Sequence, residues 1–209
     1  MARGPSTPAD GVFINCPFDE HYSGIFRALI FTIYVCEFRP RSARELDDAG
    51  QTRIEKLIDI IAECRFGIHD ISRTELDDAN RLLRFNMPLE LGIFLGAKRF
   101  GNKAQRQKRL LIFDKDQYRY QKFISDLAGM DIHAHGSDPK RAILETRDWL
   151  ATASRRQLAS GDRIVRLHAK FLDNLPEIAR TLEFDVRNIP YVDFERIVVN
   201  WLLEKGSQR

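Results

Sequence analysis

Short apolar runs, too brief to be helices, alternate along this chain with segments whose apolar residues recur every three or four positions. That alternation limits the fold more than any other feature. Val12-Phe-Ile-Asn-Cys16 is apolar and β-rich and is closed by Pro17. From about Tyr22 to Val35, Ile25, Leu29 and Ile33 fall on one helical face. A second strand is placed at Arg39 to Arg44. A helix follows from about Gly50 to Cys64, carried by Ile54, Leu57, Ile58 and Ile61. Phe66-Gly-Ile-His-Asp-Ile71 reads as a buried strand. The charged stretch from Ser72 to Asn86 is long for a connection in a compact domain, and long loops are often functional.

Asn86-Met-Pro-Leu-Glu90 opens the next helix, with Asn86 as the expected N-cap and Pro88 tolerated in a first turn. Leu110 to Phe113 forms a fourth strand and Ile132 to His135 a fifth, with a short helix between them over Gln117 to Leu127. Asp138 is placed to cap a further helix that starts at Pro139. Strands that alternate with helices pair in parallel through right-handed crossovers. The expected fold is therefore α/β: a doubly wound, five-stranded parallel sheet in the flavodoxin-like order 2-1-3-4-5. Its ligand crevice lies beyond the C-terminal strand ends, where the chain reverses between strands 1 and 3.

From Gly161 onward the pattern changes to two helices, about Asp162 to Leu182 and Tyr191 to Lys205, with only a weak strand signal at Phe184-Asp-Val186. The sequence divides into a tail (residues 1–10), an α/β domain (11–160) and a C-terminal helical extension (161–209). Phe171, Phe194 and Trp201 give the extension an apolar face. That face must dock on the chain's own domain or on a second copy, so a homo-oligomer is one expectation.

Composition narrows the function classes. The net charge of +3, from 33 basic and 30 acidic residues, gives no field that would argue for nucleic acid. No apolar run reaches the length of roughly 20 residues that spans a bilayer. Residues 1–10 are polar, carry two prolines and lack an apolar signal core. The three cysteines, Cys16, Cys36 and Cys64, each sit among apolar neighbours and read as buried free thiols. A cytoplasmic protein is expected, with no metal, since neither a C-x-x-C pair nor metal-ligand spacing is present.

Three segments should meet at the crevice: Asn15-Cys-Pro-Phe-Asp19 after the first strand, His69-Asp70-Ile-Ser72 at the end of the third, and Glu90 at the start of the helix that follows. Glu90 lies between Leu89 and Leu91. A carboxylate in such company has its pKa raised, as acid/base and glycosyl-transfer sites require. Each acid also has a plainer reading. A Glu near a helix N-terminus is favoured by the dipole, and an Asp at a strand end caps the next turn.

These segments, together with Met87-Pro-Leu-Glu-Leu-Gly-Ile-Phe-Leu-Gly96, resemble the nucleoside 2-deoxyribosyltransferase and TIR-like superfamily over residues 11–136. They are also similar to a group of uncharacterised bacterial TIR-like proteins. In the deoxyribosyltransferases a strand-end Asp is followed by a helix whose Glu-x-Gly element carries the nucleophile. The resemblance lays Asp70 and Glu90-Leu-Gly92 on those positions. Leu83-Arg-Phe-Asn86 departs from that family's more acidic, Gly-containing approach to the Glu.

The resemblance implies attack on an N-glycosidic bond of a nucleotide, with NAD favoured as substrate rather than cofactor, in a setting such as bacterial antiviral defence. Glu90 would stabilise the oxocarbenium-like transition state or form an ester. Asp70 would hold ribose hydroxyls or assist proton transfer. Phe18 would stack on the base, while Asn15, Asp19 and Asn86 line the substrate loop. Arg73 or Arg84 would supply positive charge. The alternative is a nucleotide-sensing or oligomerisation module without turnover.

Other candidates have ordinary readings. Cys16 reads as a small buried residue with no His placed to activate it. His133 and His135 share a strand face without further metal ligands. His69 points away from Asp70 and reads as packed. Lys103, Arg106, Lys108 and Arg109 form a basic loop that reads as solvated. Glu45, Asp47 and Asp48 follow the second strand, and Gln51 and Arg53 open the next helix on a face that could reach the crevice.

Overall fold

A computed structural model describes residues 10–45, 49–74 and 84–206. The sheet is open, all-parallel and five-stranded, in the order β2-β1-β3-β4-β5. Its strands are β1 (Gly11–Asn15), β2 (Arg39–Arg41), β3 (Phe66–Asp70), β4 (Arg109–Asp114) and β5 (Ile132–Ala134). The helices are α1 (Ser23–Val35), α2 (Arg53–Glu63), α3 (Asn86–Phe100), α4 (Pro139–Ser154), α5 (Gly161–Thr181) and α6 (Tyr191–Gly206). Fold class and strand order are those the apolar alternation predicts.

β1 and β3 are buried along their whole lengths, as central strands covered on both faces must be. Alternate side chains divide β1 between two cores. Val12 and Ile14 join α1 and α4, while Phe13 packs with Leu57, Ile60 and Ile61 of α2 and Phe94 of α3. At Gly67 a Cβ would stand 2.7 Å from the Phe94 ring, so the glycine makes the room in which that ring packs on the sheet. Gly67→Ala is expected to cost about 1–3 kcal/mol through this overpacking. A urea-unfolding midpoint unchanged from the parent would refute it.

Local signals fix the helix ends. Thr52 caps α2 in a reciprocal box with Glu55. Asp138 caps α4 by accepting from the Lys140 N–H, with Pro139 at the first position. α3 differs from expectation: Phe85 occupies the N-cap without a side-chain bond, and Asn86 is the first helical residue. The region between β4 and β5 forms two 3-10 turns, Arg119–Lys122 and Ser125–Leu127, instead of one helix. Phe184 to Val186 is not a strand.

The two C-terminal helices complete the core on the α1 side. The Phe31 ring of α1 meets Phe171 at 5.2 Å and Trp201 at 6.0 Å. Phe171, Phe194 and Trp201 are all buried, and Trp201 Nε1 donates to Asn174 Oδ1 at 3.0 Å. The apolar stripe that could have met a second copy is thus spent on the chain's own α1. Among the described residues no helix is long and apolar enough to cross a membrane.

Candidate functional site

The first strand, the third strand and the helix after it do converge. Asn15, the last residue of β1, pairs with His69 of β3 in the parallel register. Its buried Nδ2 donates to the Met87 carbonyl in the first turn of α3 at 2.8 Å and lies 3.1 Å from His69 Nδ1. Asn15 therefore braces the strand ends against the helix. His69 is buried between Phe13 and Phe94, and desolvation, with the Lys108 charge second, pushes its pKa down to about 3, so it stays neutral.

One turn beyond Met87 stands Glu90, the fifth residue of α3 and only 7% exposed. It lies past the first turn, so the free N–H groups of the helix end do not account for it. It accepts no hydrogen bond among the described residues. Burial raises its pKa to about 7, opposed only by the positive charge of Arg53 at the start of α2. The cation bearing on Glu90 is therefore Arg53. Arg73 and Arg84 instead meet Asp19 Oδ2, at 3.2 and 3.3 Å.

Asp70 is wholly buried at the end of β3, and both its oxygens are engaged. Tyr22 Oη donates to Oδ2 at 2.6 Å, His135 Nε2 lies 2.9 Å from the same oxygen, and the Ser72 N–H donates to Oδ1 at 2.8 Å. His135 Nδ1 accepts from the Ser137 N–H, which leaves the ring proton on Nε2, in close contact with the carboxylate but without hydrogen-bond geometry. Asp70 thus anchors a Tyr–Asp–His cluster that joins the β1–α1 loop, the end of β3 and the residue after β5. Tyr22→Phe should leave a buried oxygen one donor short and lower stability by about 1–3 kcal/mol. An unfolding free energy equal to the parent's would contradict that.

Burial first, then the charges of Asp70 and Glu90, hold the Cys16 thiol well above its ordinary pKa, so it is a protonated, inert residue.

The remaining expected site residues fall around this point. Asp19 accepts from the Tyr22 N–H as well as pairing with the two arginines. Asn86 is exposed on α3. Arg73 borders a small pocket of about 70 Å³ with Ser72, Lys115 and His135. Phe18 and Asp19 line a larger cleft of about 530 Å³ between α1 and the α5–α6 connection. Glu90 borders neither. Residues 75–83 of the charged loop, and Asp47 and Asp48 of the acidic patch, lie outside the described residues. Glu45 is held by Arg41 at 2.6 Å.

The other candidates resolve into structure. His133 pairs with Glu145 at 2.6 Å, and no group of three metal-ligating side chains occurs among the described residues. Lys108 is not solvated. Its buried ammonium donates to the Ile61 and Cys64 carbonyls at the end of α2 and lies 4.7 Å from the Phe94 ring centre. Tyr22, His135 and Arg53 join the site only through the fold. Each is remote in sequence from its partner, and only Arg53, as a helix-opening residue, carried a signal for the crevice.

No protein-family model, curated protein or solved structure matches this chain.

Proposed function

We propose that this protein cleaves the N-glycosidic bond of a nucleotide, NAD being the favoured substrate, with Glu90 as the reacting carboxylate. One observation carries the reading. Glu90 is a nearly buried acid without a hydrogen-bond donor among the described residues, placed at the switch point of a doubly wound sheet, where such folds bind ligands. A carboxylate with that environment is costly to keep and has no evident structural task. Perturbed acids of this kind cluster at functional sites.

As the C1′–N bond breaks, its electron pair passes to the leaving ring nitrogen, and positive charge develops on the sugar. Ionised Glu90 meets that charge or closes on C1′ as an ester. Water then takes C1′ and releases a proton, giving nicotinamide and ADP-ribose from NAD. The cationic nicotinamide ring would itself favour ionisation of Glu90, offsetting the burial that holds it near pH 7. Asp70, with its oxygens engaged, serves as a positioning residue. It fixes Tyr22 and His135, and with them the strand ends that carry the substrate loop.

Release of nicotinamide on incubation of the pure protein with NAD tests the proposal. A panel of nucleotides bound without turnover would favour the second reading, a sensing module. The large cleft lined by Phe18 rather than Glu90 speaks for that second reading.

A further inference from the structure

A cleft of about 530 Å³ lies apart from Glu90. The β1–α1 loop supplies Pro17, Phe18 and Asp19 to its wall. Asn15, two residues before Pro17, donates to the Met87 carbonyl in the turn of α3 that precedes Glu90. The β1–α1 loop therefore links the helix of Glu90 to the cleft, and a molecule longer than one nucleotide could lie along it.

The opposite wall is built by the C-terminal helices. Arg27 of α1 donates to the Val186 carbonyl at 2.8 Å and to the Arg187 carbonyl at 3.3 Å, strapping the α5–α6 connection in place. The floor is aromatic. Phe26 stacks on Tyr191 at 5.8 Å and 25°, and Phe18 meets Phe26 edge-on at 5.4 Å. The guanidinium of Arg44 lies 5.3 Å from the centre of the half-exposed Phe18 ring.

The rim is cationic. Arg27, Arg44 and Arg187 face the cleft against two carboxylates, Asp19 and Glu20, and Asp19 is already held by Arg73 and Arg84. Arg44 carries no ion pair among the described residues. Arg187 has only a loose, solvent-exposed contact with Asp185 at 3.7 Å. An aromatic wall beside the Arg44 guanidinium and the loosely paired Arg187 suits a ligand with a planar ring and a phosphate chain. The volume of about 530 Å³ is that of a small-molecule site.

We infer that this cleft binds the distal, phosphate-bearing nucleotide of the substrate, the half that does not react. The inference rests on the reading of the Glu90 crevice as a glycosidic site. It adds that the C-terminal helices are part of substrate recognition and that a dinucleotide is preferred to a mononucleoside.

Calorimetric titration of the full chain with ADP, and separately with adenosine, tests it without requiring turnover. ADP should bind at least about tenfold more tightly than adenosine. Joint Arg44→Gln and Arg187→Gln substitution should weaken ADP at least about tenfold while changing adenosine little. Both side chains are exposed, so the fold is not at stake. Failure of ADP to bind at millimolar concentration, or equal affinity in the double variant, overturns the inference. Nicotinamide release from NAD without ADP binding would sink the cleft alone. ADP binding without release would sink the Glu90 chemistry alone.

Discussion

Glu90→Gln is expected to lower nicotinamide release from NAD by about 10²–10⁴-fold, the range over which a single acid/base or charge-stabilising side chain acts. The same substitution should make the protein more stable at pH 8. In the folded chain Glu90 titrates near 7, against an ordinary value of 4.5, so the folded state holds its proton more tightly than the unfolded state does. Below pH 4.5 the group is protonated in both states and contributes nothing. Between pH 4.5 and 7 the unfolded chain ionises this group while the folded chain keeps its proton, so stability falls across that interval and is level above it. By pH 8 the loss is about 3 kcal/mol, and Gln removes most of it.

Turnover in the parent should rise as the pH passes through about 7, because the ionised carboxylate does the work. Stability should fall earlier, between pH 4.5 and 7. Thermal unfolding of parent and variant at pH 4.5 and pH 8, alongside the release assay, reads all three quantities. Undiminished turnover in the variant would end the mechanism. A variant no more stable at pH 8 than at pH 4.5, relative to the parent, would remove the claim that Glu90 is held against its preference.

Lys108→Met should be among the most damaging single changes far from the crevice. The last carbonyls of a helix have no partner within it. At the end of α2, the Ile61 and Cys64 carbonyls are answered by the Lys108 ammonium. The Lys108 carbonyl in turn accepts from Lys98 Nζ of α3, so one residue ties two helices to the start of β4. Methionine fills a similar volume but leaves the Cys64 carbonyl without a donor and the Ile61 carbonyl with only the Cys64 N–H, a loss of about 1–3 kcal/mol. For a chain of this size that corresponds to a Tm lower by roughly 3–12 °C.

Burial pushes the Lys108 pKa down to about 8, below its ordinary 10.5. The unfolded chain therefore binds more protons between those values, and the parent gains stability as the pH rises across them. The deficit of the variant should widen from pH 8 to pH 10.5. A Tm within about 2 °C of the parent would show that water replaces the ammonium at little cost.

The sheet was legible because its strands are short apolar runs, and its helices carry their apolar residues on one face. Val12 to Cys16 and Phe66 to Ile71 could hardly be anything else. The caps Thr52 and Asp138 are side chains that hydrogen-bond within three residues, which is why local sequence suffices for them. Asn86 misled because capping depends on where the preceding chain enters, and Phe85 takes that position.

Lys108 misled for a different reason. A lysine in a basic loop is normally solvated, and nothing nearby announces two carbonyls more than forty residues earlier. The partners of Asp70 are equally remote. Tyr22 and His135 come from the two ends of the α/β region and meet only once the strands are in register. The same holds for Arg53, whose field on Glu90 follows from the packing of α2 beside α3. What sequence shows of a site is the residue with unusual neighbours, and what it hides is the company the fold brings.

The dependence of α1 on the last two helices has a practical side. Phe31 is sealed by Phe171 and Trp201, and Phe26 by Tyr191. Shortening the gene product at residue 160 would strip a row of aromatic rings bare along the very helix that follows the substrate loop. The α/β portion would then be left sticky and its loop without a backing. Expression of the α/β portion alone is thus a poor route to a crystallisable or assayable sample, whatever its chemistry.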